Sequence, residues 1–375
     1  MSPTASFENY LTEDSGSIVS QGLRATVNGG NRNAATEAVL GLSGSTVMLG
    51  ENLNVNRDLS LFAINDIETQ GLTARGADIS LLSDDGAIAV AGAINVNATD
   101  GSDAGNVTIR AADNIETNII NARSFSQNRD TGQGGNVFIT SIGGGDIRNR
   151  GRINTESVAG SNQSSDDLPV LNAGNGGTIR LVTESGGSIF NESTITAWSR
   201  SFNGNSRNGG EIEIVADGSG DIMNADVVRS QSITNIGDTG MGGDITIESA
   251  QGNILNQSAI RSSSLTNNGD TGTGGNISLS AFGGSITNEG DLVAQSASAI
   301  MGDASDGGSI TMRAAGDISN QGLFNSFSSA QMGNAQNGGA ITIDATNGGN
   351  ITSQGTFRSL SISNGVNAVA GGAIS

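Results

Sequence analysis

The chain has 375 residues, 57 of them Gly and 2 Pro, with no Cys, no His and a formal net charge of −20. All 17 basic residues are Arg, so thiolate metal sites, Cys nucleophiles, His bases, Ser-His-Asp triads and Lys Schiff bases are excluded. The acidic balance argues against a nucleic-acid partner, and no apolar run approaches the ~18 residues of a membrane-spanning helix.

Residues 1–14 read as an irregular N-terminal segment. The opening MSPTASFENYLTEDSG has neither a basic n-region nor an apolar h-region and is no secretory signal as it stands. From Ser15 the chain reads as one repeat domain, 15–375. Leu59 and Ile79 open equivalent segments 20 residues apart, and Val107, Val137 and Ile179 continue the series. Gly pairs then keep time at Gly134-Gly135, Gly176-Gly177, Gly209-Gly210, Gly242-Gly243, Gly274-Gly275, Gly307-Gly308, Gly338-Gly339 and Gly371-Gly372. A fixed period of this length is the mark of a repeat architecture. The longer units are the 20-residue unit plus an insertion, mostly of 11 to 13 residues, and the insertions read as loops.

Each unit carries three short segments with the period-two alternation of half-buried strands. The first alternates apolar residues, as in Ile179/Leu181 and Ile245/Ile247. In the second, Ile is followed two residues later by Asn149, Asn191, Asn224, Asn256, Asn288 and Asn320. Thr69, Thr117 and Ser353 take that place at either end of the series. The third has an apolar residue and then small ones, as in Ile195/Ala197/Ser199 and Leu292/Ala294/Ser296. Three strands with one inward face cannot bury that face alone, whereas stacked units can. The expectation is therefore all-β: a right-handed parallel β-helix, or β-solenoid, of about eleven coils with loops at one corner. Gly is expected at corners needing positive φ. The buried Asn residues are expected to form a ladder of side-chain amides at the ~4.8 Å strand spacing. Outward, Phe190, Met223 and Leu255 should make a small apolar strip, Arg313 should neighbour Asp344, and Trp198 should face solvent.

The pattern GG-x-I-x-I…GG-x-I-x-N-x-G, with its Asn, Ser and Gly bias, resembles the β-helical repeat region of filamentous haemagglutinin-type exoproteins, including large cyanobacterial surface proteins. It covers roughly Gly44 to Ser375. The resemblance implies a secreted, cell-surface, adhesive stalk, exported by the two-partner route through an outer-membrane transporter and meeting a host-cell or glycan surface. The family's signal peptide and N-terminal secretion motif are not found in this chain. Both ends read as cut coils, so the chain is expected to be a piece of a longer protein, truncated at its C-terminal end, that associates end to end when isolated.

No catalytic, cofactor or metal residue is assigned. The alternative is a carbohydrate-active β-helix enzyme, a lyase or hydrolase, using Asp carboxylates. Asp146, Asp221 and Asp317, and Asp130, Asp238 and Asp270 in the DTG loops, supply carboxylates. They recur with the repeat, however, as turn residues do. The DTG loops are also too poor in oxygens for a calcium site and read as solvated turns. An outward Thr column, Thr108, Thr246, Thr311 and Thr342, is too interrupted for an ice-binding face. The longest insertion, with Asp166, Asp167 and Leu168, is the candidate binding loop.

Overall fold

A computed structural model describes residues 12–14, 17–20, 26–27, 40–160, 169–365 and 367–375. The chain winds as a parallel β-solenoid with three strands per coil, and every regular element among the described residues is a strand. First strands stack into an eleven-stranded wall from Leu40–Gly44 to Ile341–Ala345. Second strands form the next wall, ending at Ile351–Ser353, and third strands form the last, ending at Phe357–Ser363. Beyond the last strand of the first wall Ile374 pairs with Ile341, where the next coil begins. The solenoid makes about nine turns, fewer than the eleven coils expected.

Register follows the apolar residues. Ile179 sits on Ile212 and Ile212 on Ile245, one coil after another. The early 20-residue coil is the bare unit, with Leu59 paired to Ile79. Inward side chains of all three walls meet in one core, in which Ile179, Ile189 and Ile195 of a single coil are fully buried. A one-residue slip would turn each of these outward, so burial itself specifies the pairing. The bore is not restricted to small side chains: Phe324 is fully buried and meets Phe357 edge-on, with ring centroids 5.1 Å apart.

Near the N-terminus Ser17–Ser20 joins the second wall on Val47–Leu49. The end of the segment expected to be irregular is a strand, Thr12–Asp14, lying antiparallel to Ser17–Ser20.

Gly takes positive φ at turns, as expected, among them Gly76, Gly144 and Gly218, but the paired glycines have a different role. The Gly pairs that open the first strands do not adopt positive φ. They are needed because successive coils touch there: a Cβ on Gly210 would lie 2.0 Å from the Gly177 carbonyl oxygen, and one on Gly243 equally close to that of Gly210. The turns Gly237, Gly269 and Gly302 of the insertions also have positive φ.

The insertions, moreover, are not free loops. They extend the third strand from 3 residues in Leu72–Ala74 to 9 in Val228–Ile236 and 10 in Leu292–Met301. The returning segments stack on one another, Ala173 on Ser206 on Thr239 and Ala304 on Ala335 on Ala368. Extended strand and returning segment together form a fin along the rod. Hydroxyl pairs fill much of its interior: Thr131 bonds Ser157 at 2.7 Å, Ser206 bonds Ser232 at 2.8 Å, Thr239 bonds Ser264 at 2.6 Å and Thr271 bonds Ser296 at 2.5 Å, with small apolar clusters at Ala159, Leu171 and Ala173 and at Ala304, Ala330 and Ala335. The DTG threonines are thus buried, not solvated.

Candidate functional site

In the Asn-bearing coils the second strands are three residues long, and their alternation turns the third residue inward. That places Asn in the core, where an unpaired amide is costly. Here each Nδ2 donates to the next coil's Oδ1. The distances are 2.7 Å for Asn149 to Asn191, Asn191 to Asn224 and Asn224 to Asn256. They are 2.6 Å for Asn256 to Asn288 and 2.7 Å for Asn288 to Asn320. Thr117 Oγ1 donates to Asn149 Oδ1 at one end, and Asn320 Nδ2 donates to Ser353 Oγ at the other. The second amide hydrogen is used as well, for example by Asn288 to the Gly290 carbonyl at 2.8 Å. Earlier along the wall Val90 interrupts the series beside Thr69.

The carboxylates considered for catalysis have an architectural occupation. Asp146 Oδ1 accepts the backbone N–H of Ser188, Asp221 Oδ1 that of Asn253, and Asp317 Oδ1 that of Asn350. In the fin, Asp130 Oδ1 accepts from Asn172 N, Asp238 Oδ1 from Asp270 N, and Asp270 Oδ1 from Asp303 N. Strand edges turn a corner at these places, so the next coil's N–H would otherwise go unpaired. A carboxylate or amide oxygen one coil away closes the gap and repeats with the coil. Among the described residues no cluster of three or more potential metal ligands occurs. Asp166, Asp167 and Leu168 of the candidate binding loop lie outside the described residues.

The outward stacks are as varied as the inward ones are uniform. Phe190, Met223 and Leu255 are in register but half-buried, with the Arg148 guanidinium 5.2 Å above the Phe190 ring. Arg313 Nε lies 3.4 Å from Asp344 Oδ2 on an exposed face. Most individual is the outer face of the third wall in mid-rod. Trp198 occupies an outward position there and is half-buried, with the Arg229 guanidinium 4.1 Å above its ring. Arg229 Nε also donates to Thr196 Oγ1 at 3.3 Å. Burial holds the Arg229 pKa below its usual value; the Glu156 carboxylate opposes this, and the Arg152 and Arg261 cations add to it. Arg123 Nε lies 2.7 Å from the largely buried Glu156 Oε2, though its N–H is not aimed for a hydrogen bond. This arrangement of Arg, Glu and Trp does not recur along the rod, and periodicity, which governs the rest of the chain, gave no sign of it. The single Trp and the crowding of Arg between Arg123 and Arg261 were the available signals.

No family model, curated protein or solved structure matches this chain.

Proposed function

We propose that the chain is a structural and adhesive stalk, a stiff acidic segment of a large secreted bacterial surface protein that presents its fin and loops to a host-cell or glycan surface. The observation that carries this is the occupation of the carboxylates. The recurring Asp side chains that could serve an enzyme are spent on N–H groups of the neighbouring coil. An acid or base in catalysis must instead meet substrate. The likeness of the repeat to filamentous haemagglutinin-type exoproteins supports the surface role, and with it export through an outer-membrane transporter of the two-partner type and end-to-end association of isolated segments. A solenoid resists bending because each coil is bonded to the next through three walls.

The test joins shape to chemistry. Small-angle scattering should report a rod, and incubation with a panel of acidic and neutral polysaccharides should leave their chain lengths unchanged. Depolymerisation abolished by Asp221→Asn would replace the stalk with an enzyme.

A further inference from the structure

One surface feature departs from the repeat and is built like a binding site. Where second strands turn into third strands, four successive coils contribute Asn118 and Ile119, then Arg150, Gly151 and Arg152, then Ser193 and Thr194, then Asp226. With Asn121 and Asn154 they line an open groove of about 640 Å³. Three coil steps of ~4.8 Å make it roughly 14 Å long, parallel to the rod axis.

Its charge is unlike that of the molecule. On a chain of net charge −20, the groove holds two arginines and one carboxylate. Asp226 is already engaged, Oδ2 accepting from Thr194 Oγ1 at 3.0 Å and Oδ1 from Val227 N at 2.7 Å. Arg150 pairs with Glu116 at 2.9 Å. Arg152 is exposed and makes no ion pair among the described residues. It also stands close enough to Arg229 to oppose its charge. The Glu156 and Asp226 carboxylates already act on Arg229, which leaves Arg152 as the groove's cation with no paired carboxylate among the described residues.

The remaining lining is uncharged and suited to hydroxyls. Asn154 is 3% exposed, donates from Nδ2 to Asn121 Oδ1 at 3.3 Å, and has an Oδ1 with no partner. Asn118 is anchored through Nδ2 to the Ala91 carbonyl. Ile119, 42% exposed, offers an apolar surface. Gly151 keeps the floor low, since a Cβ there would lie 2.4 Å from Ile119 N.

We propose that this groove binds a short stretch of a linear polyuronate, with the Arg152 guanidinium gripping a sugar carboxylate. The planar fork of Arg matches a carboxylate through two parallel hydrogen bonds. The amides of Asn118 and Asn121 meet ring hydroxyls, Asn121 being held from beneath by the buried Asn154, and Ile119 packs on the C–H face of a sugar ring. An acidic polypeptide fits less well, because the amide-rich lining gives it no apolar pockets for side chains. The overall negative charge does not prevent binding, since distant carboxylates are screened beyond about 8 Å at physiological ionic strength. The assignment deepens the adhesive half of the stalk reading and leaves the rod half aside. A rod that ignores polyuronates sinks the groove alone, and a chain that is not a rod sinks the stalk.

The experiment titrates the full chain by calorimetry with oligogalacturonate. Neutral dextran, heparin and polyglutamate serve as comparison arms. Binding to the oligouronate is expected, weakened about tenfold or more by Arg152→Ala and only partly restored by Arg152→Lys, which keeps the charge but loses the fork. Arg150→Gln should weaken it less. Arg313→Ala, on a different wall, should leave it unchanged. Thermal melts matching the parent chain establish that each variant is folded. No binding to oligouronate, equal binding to dextran, preference for heparin or polyglutamate, or indifference to Arg152→Ala overturns the assignment.

Discussion

A single Asn side chain in this protein bonds in two directions along the rod. Asn224 accepts from Asn191 and donates to Asn256 at full burial. Asn224→Ala removes one amide and orphans two partners, each in a place water does not reach. The expected cost is about 3 kcal/mol, since unsatisfied buried groups carry their whole desolvation penalty. A urea midpoint unchanged from the parent would show that the ladder contributes nothing. Gly243→Ala tests a different constraint: its Cβ would lie 2.0 Å from the Gly210 oxygen and 2.4 Å from Ser230 Oγ. The coils would have to part locally, at a cost of about 1–3 kcal/mol by the measure of overpacked cores. Glu248 has a pH signature. Burial, then the neighbouring Glu213 and Asp217 carboxylates, raise its pKa above that of an ordinary carboxylate. A raised folded-state pKa means the native state binds the proton more tightly than the unfolded chain. The stabilising contribution is therefore fully present below the unfolded pKa and is lost as pH rises through the folded one. Glu248→Gln should flatten the stability profile across that acidic window, as melts at stepped pH would show.

At the scale of elements, the fin is the informative case. Its extended third strands alternate like the core strands, yet what they turn inward is Ser and Thr, as in the burial pattern of Ile260–Asn268. Hydroxyls are satisfied across the fin in pairs, so the pair is the unit of stability. Thr239→Val should orphan Ser264 and destabilise by about 1–2 kcal/mol, whereas Thr239→Val with Ser264→Ala should recover most of that loss. A double-mutant cycle measures the coupling, and additive losses would show that the two hydroxyls do not depend on each other. The fin also shows where sequence reading stopped short. In LTNNGDTGTGG, Leu265 and Thr266 belong to a strand, but no apolar alternation marks it, so polarity and Gly spoke for a loop.

At the scale of the molecule, about nine turns at ~4.8 Å each give a rod roughly 45 Å long. Far-UV circular dichroism should be wholly β-like, and a helical spectrum would overturn the fold. Because each coil contacts only its neighbours, stability is close to a sum of local interfaces. Hydrogen exchange in Asn224→Ala should therefore rise most in the coils flanking the substitution and fade with distance. Uniform acceleration along the whole rod would show one cooperative unit instead.

How much of this was legible follows from which interactions are local in the repeat. Alternation placed Ile222 and Asn224 in one short strand, and stacking of identical units then placed Asn beside Asn, because inward faces must be buried and coils repeat. The core, the three walls and the in-register columns follow from that periodicity alone. Other features depend on what a residue meets across a gap the sequence does not encode. The Gly pairs answer to a carbonyl one coil away, the DTG threonines to serines about 25 residues distant, and the corner carboxylates to the next coil's N–H. The groove of Arg150, Arg152 and Asn154 draws on four coils and obeys no period. The sequence by itself determined a stacked β-rod, because burial of a repeating apolar face has one economical solution. Only the tertiary structure decided which polar side chains are structural and which remain open to a ligand, because a hydrogen bond is assigned by the partner that the fold brings within reach.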